Sequence, residues 1–81
     1  MTKEEFDKIP LHFSYHISMA GWNELAYVSD DYFFGVTRIT DKDEETGEFG
    51  KTSVHYRIGD IWYKSRKKFL EALEKVETKH M

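Results

Sequence analysis

From Leu11 to Met19 the chain alternates: Leu11, Phe13, Tyr15, Ile17 and Met19 fall on one side, His12, Ser14, His16 and Ser18 on the other. A period of two with one wet side predicts a β-strand. Toward the carboxy end the period changes. Phe69, Leu70, Leu73 and Val76 recur at helical spacing through SRKKFLEALEKV, with Ala72 a strong helix former. Ser65 stands where an N-cap hydroxyl accepts a bond from an orphan amide, and Glu71 and Lys75 form a favourably ordered pair four apart. The spacing predicts a helix over 65–76. Its apolar side chains, worth ~1.5–3 kcal/mol each on burial, make it the natural cover of a sheet face.

The segments between are read the same way. Thr2 to Glu5 has the T-x-x-E form of a capping box, which predicts a short helix over Lys3 to Lys8 with Phe6 and Ile9 inward. Pro10 stops it, and its expected place is at a sheet edge. Residues 20–29 admit two readings. Gly21-Trp22-Asn23 can close a hairpin into a strand from Glu24 to Val28, or Ser18 can cap a helix with Met19, Trp22, Leu25 and Ala26 on one face. The hairpin is preferred. Ser29-Asp30-Asp31 reads as a turn, and Tyr32 to Thr40, rich in aromatic and β-branched residues, as a strand. Gly35 in its middle implies a bulge, a close packing contact, or a backbone left bare for a ligand.

Asp41 to Gly50 is a polar hairpin loop, apolar only at Phe49, expected to be a mobile projection. Thr52 to Ile58 reads as a strand with Val54, Tyr56 and Ile58 inward and Ser53, His55 and Arg57 outward. Gly59-Asp60 turns the chain into a short strand, Ile61 to Lys64, and the tail 77–81 is expected to fray. Together these predict a single α+β domain spanning 1–81: a small antiparallel sheet of four or five strands, a C-terminal helix packed on one face and a short N-terminal helix. The expected core is Phe13, Tyr15, Ile17, Phe34, Val36, Val54, Tyr56, Phe69, Leu73 and Val76.

Composition narrows the function classes. With 81 residues the chain is near the lower end of what folds without staples. It has no cysteine, which removes disulfides, thiolate nucleophiles and cysteine metal sites. No apolar run approaches the ~20 residues of a membrane span. The first ten residues carry acids and no apolar h-region, unlike a signal peptide, so a cytoplasmic location is expected. The net charge of −3 conceals two poles. Asp41 to Gly50 holds five acids and one lysine; Arg57 to Lys68 holds five bases and one acid. Such blocks keep small proteins soluble and can steer a charged partner.

Catalytic and metal motifs are missing. The acidic loop places Asp41, Asp43 and Glu45 alternately, as in a calcium-binding EF-hand, but Thr46 stands where glycine belongs and Thr52 where a bidentate glutamate belongs. His12 and His16 share a face of the expected strand at ~13 Å, too far apart for one zinc, and His55 has no enforced spacing to them. Serines 14, 18, 29, 53 and 65 lie in no nucleophile elbow. No glycine loop cradles a phosphate. A non-enzymatic chain without cofactor or metal is expected.

Two binding readings follow. In the first, the chain is a protein-binding module that meets a partner with a basic surface through Asp43, Glu44, Glu45, Glu48 and Phe49 and through exposed aromatics on the open sheet face. A cysteine-free chain this short suits an accessory or inhibitor protein such as phages and mobile elements make. In the second, Arg57, Lys64, Arg66, Lys67 and Lys68 contact RNA or DNA phosphates while Trp62 or Tyr63 stacks on bases. The bare amides and cations at the predicted helix start would deepen an anion-attracting field. A homodimer through edge strands is a third expectation.

Overall fold

A computed structural model describes residues 1–77. The elements run α1 (Lys3–Asp7), β1 (Leu11–Ser18), β2 (Trp22–Ser29), β3 (Phe34–Lys42), β4 (Phe49–Ile58), β5 (Ile61–Tyr63) and α2 (Arg66–Leu73). The strands form one antiparallel sheet in the order β1-β2-β3-β4-β5. The fold is thus α+β, and both helices lie on one face of the sheet.

Local chemistry sets the helix starts. Thr2 Oγ1 accepts from Glu5 N–H at 3.1 Å and Glu5 Oε1 accepts from Thr2 N–H at 2.8 Å, the reciprocal bonds of a capping box. Ser65 Oγ caps α2 by accepting from Lys68 N–H at 3.4 Å. α2 stops at Leu73, three residues before the predicted end, and Val76 packs on the core from beyond it. Of the tail 77–81 expected to fray, residues 78–81 lie outside the described residues.

The core gathers at one end of the sheet. Phe34, Phe69 and Leu73 are fully buried there, with Met1, Phe6, Ile9 and Val36 beside them. Phe69 stacks on Tyr56 at 4.1 Å between ring centroids. Phe6 meets Phe34 at 5.4 Å and Phe69 at 5.1 Å edge to face, a favoured arrangement of ring quadrupoles. α1 therefore sits over β3 and β4 rather than at the sheet edge where sequence placed it. The Met1 ammonium donates to Val76 O at 2.6 Å and ties the amino end to the segment after α2.

The largest departure from expectation is in β1. Phe13 pairs with Tyr27 but Tyr15 pairs with Ala26, so Ser14 is an extra residue, a β-bulge. An inserted residue reverses the alternation beyond it. Leu11 and Phe13 stay on the helix face, while Tyr15, Ile17 and Met19 pass to the opposite, open face. Tyr15 and Ile17 are accordingly not core residues, at 39% and 38% exposed, and Phe13, though on the helix face, lies beyond the helices' cover and is 61% exposed. The same reversal separates His12 from His16, which sequence had put on one face.

Smaller differences have local causes. Residues 20–29 form a hairpin, closed at Ala20-Gly21 rather than Gly21-Trp22-Asn23, with Met19 N–H donating to Trp22 O at 2.9 Å. The next turn runs through Tyr32, whose φ of 61° is left-handed, so β3 begins at Phe34. Gly35 sits in regular register rather than in a bulge. The packing account holds: a Cβ there would stand 3.1 Å from Arg57 Nε, so the bare backbone accommodates the guanidinium.

Candidate functional site

The helices cover only the half of the sheet nearest the β2–β3 turn. β4 grades from exposed at Phe49–Ser53 to half-buried at Val54–Ile58, and β1 is exposed beyond Leu11. In the uncovered half the two faces exchange character. The helix-side face there carries His16, Ser18, Asn23, Arg38, Thr40 and Thr52, with Thr40 and Thr52 hydroxyls 2.9 Å apart and His16 Nε2 2.6 Å from Asn23 Oδ1. The open face carries Tyr15, Ile17, Met19, Trp22 and Ile39. These apolar side chains are turned away from the core and are in large part exposed.

The acidic hairpin stands beside that patch. Trp22 pairs with Asp41 across β2 and β3, and Lys42 N–H donates to Gly21 O at 3.0 Å. A Cβ on Gly21 would lie 3.5 Å from Glu44 Oε1. The tip of the β3–β4 hairpin thus reaches the β1–β2 turn. Glu24 stands within the patch, opposite Ile17 on one side and Ile39 on the other, and the hairpin carboxylates lie along its border.

The hairpin is built by Asp43. Its Oδ1 accepts from Glu45 N–H at 2.8 Å and Thr46 N–H at 2.9 Å, its carbonyl accepts from Gly47 N–H at 2.9 Å, and its amide donates to Glu48 O at 2.9 Å. Gly47, at φ 76°, supplies the left-handed residue the reversal needs. The Thr46 and Glu45 amides hold the Asp43 carboxyl below its ordinary value by bonding the charged form. The expected loose projection is thus a hydrogen-bonded turn. Glu44, Glu45 and Glu48 are all exposed, and Phe49 is 67% exposed. Asp41, Lys42, Asp43, Glu48, Phe49 and Gly50 line a wide-open depression of about 380 Å³.

On the open face Tyr15 donates its hydroxyl to Glu24, and this bond to a carboxylate raises the phenol above its ordinary value. His12 lies against Asp30 at the other end of β1. Among the described residues no group of three or more histidine, cysteine or acidic side chains could hold a metal ion. No described helix is long and apolar enough to cross a membrane.

The basic residues gather at the opposite end, about 30 Å away along the ten-residue β4. They divide between surfaces. Arg57 and Trp62 share the open face, with the guanidinium carbon 5.9 Å from the indole centroid and Nη1 donating to Gly59 O at 2.6 Å. Tyr63 turns the other way, half-buried, its ring centroid 6.5 Å from that of Phe69. Lys64, Arg66, Lys67 and Lys68 are exposed around the start of α2. Sequence reasoning missed Met19 and Trp22 as members of a surface patch. Their signal was present in the Ala20-Gly21 turn, which sets their partnership. No protein family, curated protein or solved structure matches the chain.

Proposed function

We propose that the chain is a non-enzymatic protein-binding module of the accessory or inhibitor kind. It captures a partner with a basic surface through the acidic β3–β4 hairpin and the open-face patch of Tyr15, Ile17, Met19 and Trp22. One observation carries this reading: the carboxylate-bearing tip and the apolar patch adjoin at the same end of the sheet. The apolar side chains supply buried area, as aromatic anchors do in interfaces. Glu44, Glu45 and Glu48 steer the approach and reject acidic surfaces.

The nucleic-acid reading has the exposed cations at the start of α2 and the Arg57–Trp62 pair in its favour. Against it, Tyr63 packs beside Phe69 instead of standing free to stack. A single capture experiment separates the two. Tagged protein is incubated with lysate with and without nuclease, beside a Glu44→Lys/Glu45→Lys/Glu48→Lys variant and a Trp22→Ser variant. The proposal expects a protein retained after nuclease and lost with both variants, at unchanged melting temperature of the hairpin variant. Capture that survives hairpin charge reversal refutes it, and capture that disappears with nuclease transfers the function to the basic pole.

A further inference from the structure

The two edges of the sheet are unequal. β5 is three residues long and is followed at once by Lys64, devices that discourage strand addition. β1 is eight residues long and has no lysine, acid or proline within it. Its only interruption is the bulge at Ser14, and from Tyr15 onward it is a regular, exposed edge.

We propose that this edge binds a second copy of the same chain, pairing β1 with β1 antiparallel about a two-fold axis at Ile17. The register follows from backbone parity. Met19 and Trp22 close the hairpin as a bonded pair, so Ile17–Glu24 and Tyr15–Ala26 are bonded pairs as well. The amides and carbonyls of His16 and Ser18 consequently point away from β2. With the axis at Ile17, His16 of each copy exchanges backbone hydrogen bonds with Ser18 of the other. Ile17 then meets its own counterpart, and Tyr15 meets Met19 of the second copy. The Ile17 pair falls at a non-bonded position, where side chains approach more closely. Pairing ends at the bulge.

Charge favours a second copy over an unrelated strand. His12 and its Asp30 partner lie before the bulge. From Tyr15 to Ser18 the strand has no acid, lysine or arginine, so a charged segment finds no opposite charge on the strand it meets, whereas a copy brings an equally neutral strand and a stripe that matches itself. Pairing over Tyr15 to Met19 covers much less than the ~800 Å² per partner of a standard interface. The dimer is therefore reversible and concentration-dependent, and it joins two open-face patches into one.

Sedimentation equilibrium from micromolar to millimolar loading tests this. The wild type is expected to move from the 9.7 kDa of one chain toward twice that mass. Ile17→Lys and Ile17→Glu, each confirmed folded by circular dichroism, are expected to stay at one chain's mass alone and to recover the rise when mixed, because opposite charges then meet at the axis. The Glu44→Lys/Glu45→Lys/Glu48→Lys variant should dimerise as the wild type does, which separates this inference from the capture of a partner. A wild type that stays monomeric at every loading overturns the proposal and leaves the edge to an extended segment of another protein. Undiminished dimerisation of Ile17→Lys, or no rise on mixing, overturns it as well. Should both variants unfold, an isotope-filtered Overhauser spectrum of mixed labelled and unlabelled wild type decides: contacts between Tyr15 and Met19 of different chains support the pairing, and their absence at millimolar concentration refutes it.

Discussion

Ser29 shows how much can rest on one hydroxyl. It is buried, donates to Asp31 Oδ1 at 2.7 Å and accepts from Phe34 N–H at 3.0 Å, while Asp31 Oδ1 also accepts from Phe33 N–H at 3.0 Å. Ser29→Ala leaves a buried amide without its acceptor, so chemical denaturation should report a loss of about 1–3 kcal/mol. Asp43 and Glu5 are tied differently, through backbone amides at the surface. Both carboxyls are held below their ordinary values, Asp43 by the Thr46 and Glu45 amides and Glu5 by the Thr2 amide. A lowered folded value means stability present above the ordinary carboxylate range and lost as pH falls through the lowered values. In acid titration followed by amide exchange, the Glu45 and Thr46 amides should lose protection as Asp43 protonates, and Asp43→Ala, which removes the acceptor, should already show that loss near neutral pH.

At the scale of elements, what sequence made legible was local. The T-x-x-E box, the Ser65 cap, the α2 stripe and the alternation of β4 each depend on neighbours a few residues away, and each appears in the structure. Three features were not legible because distant strands decide them. The bulge at Ser14 comes from the pairing of β1 with β2, and alternation along β1 alone cannot reveal it. The core list reached too far into β1 because periodicity does not say where a helix ends its cover. The position of α1 depends on Phe6 finding Phe34 and Phe69, far along the chain. The acidic residues were legible as a pole, but their adjacency to Trp22 was not. Phe69 joins α2 to the sheet and contacts Phe6 and Tyr56 while fully buried. Phe69→Ala should cost about 3–5 kcal/mol, and an equilibrium urea titration should show a large fall in its midpoint.

At the scale of the molecule, the chain is long, 46 × 24 × 21 Å, because the helices secure one end and the paired strands continue beyond them. The division of labour follows from that shape. One end holds the stacked rings and the exposed cations of α2; the other offers an apolar patch, a carboxylate rim and a free edge. All of this requires that the bulge send Ile17 to the face opposite the helices. The direct measurement is the Overhauser pattern of the Ile17 methyl groups in solution. Contacts to the side chain of Glu24, the cross-strand partner on the open face, with none to Asn23 or Leu25 on the helix side, are the predicted result. Contacts to Asn23 and Leu25 would return Ile17 to the helix face and contradict the account.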